Sequence, residues 1–233
     1  MRAPALFRKR TVPLPTVWGC LALIALGSLA AVCLGRAMPG FLSPTQPTGA
    51  RLLVVEGWIP DRELDQAAEF FRAHGYERLV TTGGPLPPVL EKLGVRSYAE
   101  LARDHLASRG IAEESLAAVP APASAQDRTF LSAVMLRTWA QGPGAPVEAF
   151  DLFSSGVHSR RSWTIYREAF GEGTRIGIVA ARPSAYDPEG WWRSSLGAKT
   201  VLSEAISWLW TEIFFDPPEP GSLEEMWARP RAP

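Results

Sequence analysis

Hydrophobic positions along the chain change their rhythm twice. Val17–Gly35 is a run of 19 residues without a charge; as a helix it spans roughly 28 Å, close to the hydrocarbon thickness of a bilayer. From Arg51 onward, short β-rich runs alternate with segments of helical period. Arg51–Val55 reads as a buried strand, and Leu64, Ala67, Ala68 and Phe71 recur at i, i+3, i+4 and i+7 behind Pro60-Asp61, which predicts a helix. Arg78–Thr81 is a second strand ending at Gly83-Gly84. A loop with Pro85, Pro87 and Pro88 leads to a helix over Ser97–Arg109, and a short strand near Leu116–Val119 follows. A helix with Leu131, Val134, Met135 and Thr138 on one face comes next, then a strand at Val147–Phe153 and a helix at Ser159–Phe170. Arg175–Ala180 is the last strand. The last helix, about Lys199–Phe215, aligns Leu202, Ala205, Ile206, Leu209 and Ile213, a row expected to pack on the sheet, with Trp208 and Trp210 near a lipid surface.

Five strands alternating with helices predict an α/β fold, because parallel neighbours need crossover connections. The expected architecture is a Rossmann-like three-layer sandwich with a mainly parallel five-stranded sheet, preceded by one transmembrane helix. The expected organisation is a basic cytoplasmic N-terminus (1–10), a transmembrane signal-anchor helix (11–36), a linker (37–50), an α/β domain (51–215) and a flexible Pro-rich tail (216–233).

Charge sharpens this picture. The chain has 24 basic and 24 acidic side chains, but residues 1–36 hold five basic groups (Arg2, Arg8, Lys9, Arg10, Arg36) and no acid, leaving the remainder at net −5. A mildly acidic domain has no bulk attraction to nucleic acid, so that partner is excluded. Four positive side chains precede the apolar run, which by the positive-inside rule keeps the N-terminus in the cytoplasm and puts residues from 36 onward outside it. A cleavable signal peptide with a site near Ser28-Leu29-Ala30 is the alternative; the apolar run continues through Val32 and Leu34, which favours an uncleaved anchor. Val32 replaces the small residue that a lipoprotein reading of Cys33 needs. Both cysteines, Cys20 and Cys33, lie in this run, so a disulfide or thiolate metal site in the globular part is excluded, and no metal ligand set is expected.

In an open parallel sheet, ligands bind beyond the carboxyl ends of the strands. The loops there hold the unusual residues: Glu56-Gly57-Trp58, Thr82-Gly83-Gly84, Ser124 through Thr129, Ser154 through Ser162, and Arg182-Pro183-Ser184. The fourth is the most informative. Ser155, His158, Arg160 and Arg161 surround a helix start, where free N–H groups and the dipole favour an anion and guanidinium groups match phosphate or carboxylate. His158 could transfer a proton near neutral pH or donate to the anion. Glu56 ends an apolar strand, where it could orient His158, bind a ligand hydroxyl or pair with an arginine. His158 and Glu56 are therefore the candidate catalytic residues; Gly57, Thr82, Gly83, Gly84, Asp127, Arg128, Thr129, Ser155, Arg160 and Arg161 are the candidate ligand contacts. Ser97-x-x-Glu100 fits a capping box, and Ser124-x-x-Asp127 has the same spacing. Paired Trp191-Trp192 reads as core, and His74 and His105 as structural. There is no G-x-G-x-x-G after the first strand, no Walker loop, no G-x-S-x-G elbow and no H-E-x-x-H.

Over about Arg51 to Ala180 the chain resembles the SanA/YdcF/ElyC-type family, a bacterial domain of unknown function often found behind an N-terminal membrane helix. The resemblance rests on Val54-Val55-x-Gly57, Thr82-Gly83-Gly84, Ser97 with Gly110-Ile111, Thr129, and Ser155-x-x-His158-x-x-Arg161. It departs at Tyr98, where the family has an acidic residue, and at Leu131-Ser132, where it has a Glu-Asn pair. The resemblance implies a Rossmann-like sandwich with its site at these strand ends, and a role in envelope integrity, peptidoglycan precursor or lipid-carrier metabolism.

The expected function is that of a domain anchored in the bacterial cytoplasmic membrane, outside the cytoplasm, acting on or binding an anionic, phosphate-bearing envelope intermediate, either a small molecule or a lipid-linked ligand. The alternatives are a non-catalytic envelope scaffold docking through its aromatic C-terminal helix, and an S-adenosylmethionine-binding domain by family analogy. Neither a cofactor nor a reaction is assigned by the sequence.

Overall fold

A computed structural model describes residues 13–87, 94, 96–124, 126–142, 147–222, 224 and 225. Arg2, Arg8, Lys9, Arg10, Pro88 and the last residues of the tail lie outside the described residues. The chain divides into two compact units, Met1–Ala37 and Met38–Pro233. In the first, α1 (Val17–Leu42) begins; its large apolar side chains from Val17 to Leu34 are exposed, and it is long and apolar enough to cross a membrane.

In the second unit a five-stranded, all-parallel sheet has the order β3-β2-β1-β4-β5. The strands are β1 (Leu52–Glu56), β2 (Arg78–Gly83), β3 (Leu116–Pro120), β4 (Ala149–Ser155) and β5 (Arg175–Ala181). Between and after them run α2 (Asp61–Ala73), α3 (Tyr98–Ser108), α4 (Arg128–Ala140), α5 (Ser159–Phe170) and α6 (Ser195–Phe214). Period-two alternation in β1 builds both cores. Leu53 and Val55 pack with Leu64, Ala68, Ala102 and Leu106 of α2 and α3. Leu52 and Val54 pack with Phe130, Val134, Ile165 and Tyr166 of α4 and α5. All five β1 residues are buried, as both-face coverage of a parallel sheet requires. The strand order reverses between β1 and β4, the switch point beyond whose carboxyl ends a crevice opens.

Three segments differ from the sequence expectation. Pro39-Gly40 suggests a break, yet α1 continues to Leu42, because Met38 and Leu42 join an apolar cluster with Val157, Trp191 and Val201. The rest of the expected linker is a strap over the edge of the sheet. Gln46 bridges antiparallel to Ile178 of β5, and Thr48 donates from its backbone N (2.6 Å) and from Oγ1 (2.8 Å) to Oδ1 of Asp151. Asp151, fully buried in β4, also accepts from Tyr76 Oη at 2.7 Å, and burial followed by that bond pushes the Tyr76 phenol up. The start of the expected flexible tail folds back: Glu225 is buried and pairs with Arg137 of α4 at 2.6 Å.

The third difference concerns α6, whose expected packing face is turned outward. Gly197, Val201 and Thr211 are buried, whereas Leu202, Ile206, Leu209 and Ile213 are exposed. Polar positions decide this orientation, since Glu204 on the inner side pairs with Arg161 of α5 and with His158 just before that helix.

Candidate functional site

A cleft of about 920 Å³ opens at the carboxyl ends of the strands, beside the switch point. It brings together Glu56 from the end of β1, Thr82 and Gly84 from β2 and its loop, and His158 and Arg161 at the start of α5. Asp127, Arg128 and Thr129 at the start of α4 complete the set that the sequence pointed to. A more open hollow of about 830 Å³ lies at the opposite sheet edge, around Arg51, Arg78, Trp139 and Arg175.

The α5 wall is built by helical spacing: His158 and Arg161 lie three residues apart and Ser162 one further on, so all three share a face. Their partners differ from expectation. Among the described residues, Glu56 forms no hydrogen bond or ion pair with His158 or an arginine. Its carboxylate accepts from Ser154 Oγ and from Ser162 Oγ (3.1 Å to each oxygen), so its bonding capacity is largely taken by the protein itself. With Glu56 only 2% exposed, it fastens β1 to β4 and α5, a positioning role instead of the expected catalytic one. Thr82 Oγ1 lies 3.0 Å from Tyr166 Oη, whose phenol is pushed up by burial and by the charge of Glu56.

Glu204 of α6 is the residue that sequence reasoning missed. Its Oε1 lies 3.0 Å from His158 Nδ1, and its Oε2 accepts from Arg161 Nε at 3.0 Å. Burial alone would push the Glu204 carboxyl up; the hydrogen bond and charge of His158, then those of Arg161, outweigh it and hold the carboxyl at about 2. The α5 wall is therefore already neutralised in part, and the expected positively biased cradle around His158 is not what the side chains make. A readable signal existed: Glu204, Ser207 and Thr211 form a polar row at helical spacing, and all three line the cleft.

Two contacts compete for His158 Nδ1, because Arg161 Nη2 also lies 3.0 Å from it. In the neutral ring with its proton on Nδ1, that proton is donated to Glu204 and Nε2 carries the lone pair. That Nε2 is buried and has no hydrogen-bond partner among the described residues, while the Trp58 ring packs edge-to-face on the imidazole at 4.7 Å. A buried polar atom without a partner is costly unless a ligand or water uses it.

The α4 wall holds the less committed cation. Asp127 precedes the helix in the left-handed region (φ 50°), and its side chain makes no cap, so the expected Ser124–Asp127 capping box is absent. Ser124 closes a local turn with Gln126, and its Oγ accepts from Gln126 N at 3.2 Å. The first-turn amides of α4 are thus uncapped by Asp127, beside Arg128 in the cleft. By contrast, Ser97 and Glu100 form the expected capping box at α3.

Four candidates leave the cleft lining: Gly57, Gly83, Ser155 and Arg160. Arg160 points elsewhere on α5, with Nε donating to Phe41 O and its guanidinium 4.0 Å from the Phe41 ring centroid. The glycines make room for α3 in place of a ligand. A Cβ at Gly57 would meet Tyr98 O at 2.5 Å and Thr82 O at 2.9 Å; one at Gly83 would meet Tyr98 Cβ at 2.8 Å. Gly57→Ala is accordingly expected to lower stability by about 2–3 kcal/mol, a scale typical of overpacking. Urea titration checks this, and an unshifted midpoint would show that the α3 start yields freely. His105, paired with Asp65 at 2.8 Å, and His74, stacked on Phe70 at 3.9 Å, lie in these local contacts and not in the cleft lining.

Fold and cleft together define the class: a parallel α/β protein with a strand-end pocket of mixed charge, joined to an apolar helix of membrane-spanning length. No protein-family model matches the chain, and no curated protein matches it either.

Proposed function

We propose that α1 anchors this chain in a bacterial cytoplasmic membrane, N-terminus inside, and that the external α/β domain binds and acts on an anionic, phosphate-bearing envelope intermediate. The observation that carries the reading is the buried, unpartnered Nε2 of His158 at a cleft whose opposite wall offers Arg128 and uncapped helix amides. Arg128 and the α4 amides receive the anionic group. His158, held by Glu204 at Nδ1, accepts a proton from a ligand hydroxyl or a water at Nε2, and the adjacent carboxylate stabilises the imidazolium that forms. The resemblance of the strand-end motifs to an envelope-associated family supports the substrate class.

The test is titration of the full chain in lipid nanodiscs with lipid-linked and nucleotide-linked wall precursors. Binding to at least one of them is expected, weakened about tenfold or more, equivalent to about 1.4 kcal/mol, by Arg128→Gln. His158→Ala is expected to abolish any turnover of the precursor that binds. Indifference of the wild-type chain to every precursor would remove the proposal.

A further inference from the structure

We propose that the outward face of α6 is a bilayer-docking surface, seated at the headgroup–acyl boundary of the membrane that α1 spans. This rests on the reading of α1 as an anchor and adds a second, independent lipid contact. The helix is amphipathic in the inverse sense for a soluble domain: Glu204, Ser207 and Thr211 line the cleft, Ile206 in the same lining is 70% exposed, and Ile213 at 60% and Phe214 at 66% exposure lie outside it. Leu202, Leu209 and Trp210 extend the same surface. Six large apolar side chains on one helix face exceed the scattered exposure normal for a soluble protein.

Connectivity and chemistry both select lipid as the occupant. Phe41, in the last turn of α1, packs edge-to-face on Trp208 of α6 at 4.8 Å. Phe41 lies six positions beyond Gly35, the end of the uncharged run; even fully extended, those six steps reach only about 20 Å. One end of α6 is therefore kept near the surface of any membrane that α1 crosses, at high effective lipid concentration, whereas a second copy must be met by diffusion. The outward row contains Lys199 and Ser203 but no acid. Glu212, the nearest acid, is engaged by Thr164 (2.9 Å) and Trp208 (3.1 Å). Arg160, stacked over Phe41, adds a cation beside the same end, suited to headgroup phosphates. Such a helix, too interrupted by Glu204 and Glu212 to span, lies in the interface plane.

The experiment is spin labelling of the full chain, with Cys20 and Cys33 replaced by alanine, in vesicles of phosphatidylethanolamine and phosphatidylglycerol. Labels are placed singly by Ile206→Cys, Leu209→Cys and Ile213→Cys, with Leu26→Cys in α1 and Glu69→Cys on α2 as references. Collision with oxygen reports lipid, and collision with a water-soluble nickel chelate reports solvent. The expected result is that the three α6 positions are at least fivefold more oxygen-accessible, relative to nickel, than Glu69→Cys. Lipid-like behaviour at Leu26→Cys with solvent-like behaviour on α6 overturns the docking surface and leaves the anchor standing. Solvent-like behaviour at all four overturns both. Solvent at Leu26→Cys with lipid at the α6 positions removes the anchor and retains the docking. Protection of α6 from both reagents, with spin–spin broadening between chains, assigns the face to a second copy and overturns the lipid contact.

Discussion

Gly177→Ala is expected to be among the most damaging single substitutions in the chain, with a loss of about 3–5 kcal/mol. A Cβ at this position would lie 2.0 Å from Asp151 Oδ1, 2.8 Å from Thr48 N and 2.9 Å from Gln46 O. Two of these neighbours are backbone, held by the paired bonds between Gln46 and Ile178 at 2.7 and 3.2 Å. The methyl must therefore either lift the strap or push a fully buried carboxylate off its donors. Either way Asp151 loses its two bonds from Thr48 and keeps only Tyr76, and an undersatisfied buried charge is among the costliest defects a fold can carry. Gly173, around which a Cβ meets nothing within 4 Å, is the control; its alanine variant is expected to stay within about 0.5 kcal/mol of wild type. Urea unfolding of the full chain in detergent micelles, followed by circular dichroism, compares the two. Similar midpoints for both variants would show that the strap carries little of the domain's stability.

Glu204 sets the second large effect, which depends on pH. Its folded-state carboxyl, held at about 2, lies below the ordinary 4.5, so the folded state binds fewer protons than the unfolded state between these values. Stability from this group is fully present above about pH 4.5 and is lost as pH falls through 2. Its size is at most about 3.5 kcal/mol, from the shift multiplied by about 1.4 kcal/mol per pH unit. Glu204→Gln keeps the shape and an acceptor for Arg161 but removes the titration. The expected result is a gap between wild type and variant of about 2–3 kcal/mol at pH 5 that closes below about 1 kcal/mol near pH 2.5. Parallel pH profiles would show that Glu204 is not the coupled carboxylate.

Most of the architecture was written in periodicity. The runs at Leu52–Glu56, Arg78–Gly83 and Arg175–Ala181 are buried along most of their length because both faces of a parallel sheet are covered, and their short apolar stretches stand out for that reason. The boundaries of α1 were harder to read, because local breakers at Pro39-Gly40 are overruled by burial of Leu42, a contact with residues far along the chain. The site divides in the same way. Loop chemistry after each strand located Glu56, Thr82, Asp127, Arg128, His158 and Arg161, since topology alone gathers strand ends. Which partners they take was not legible. The Glu56–Ser162 and His158–Glu204 pairs join residues 106 and 46 positions apart, and nothing local encodes them. The same applies to α6: its apolar row has the period of a buried helix, and only the inward pull of Glu204 toward Arg161 reveals that the row looks out.

Ile206 and Trp210 belong both to the outward row of α6 and to the lining of the cleft. On the docking proposed above, a helix shared in this way couples two equilibria, because any change in how deeply it rides alters the aperture behind it. Bilayer thickness and surface charge then become inputs to ligand occupancy, and the coupling runs in reverse as well: a filled cleft would hold the domain more firmly to its membrane.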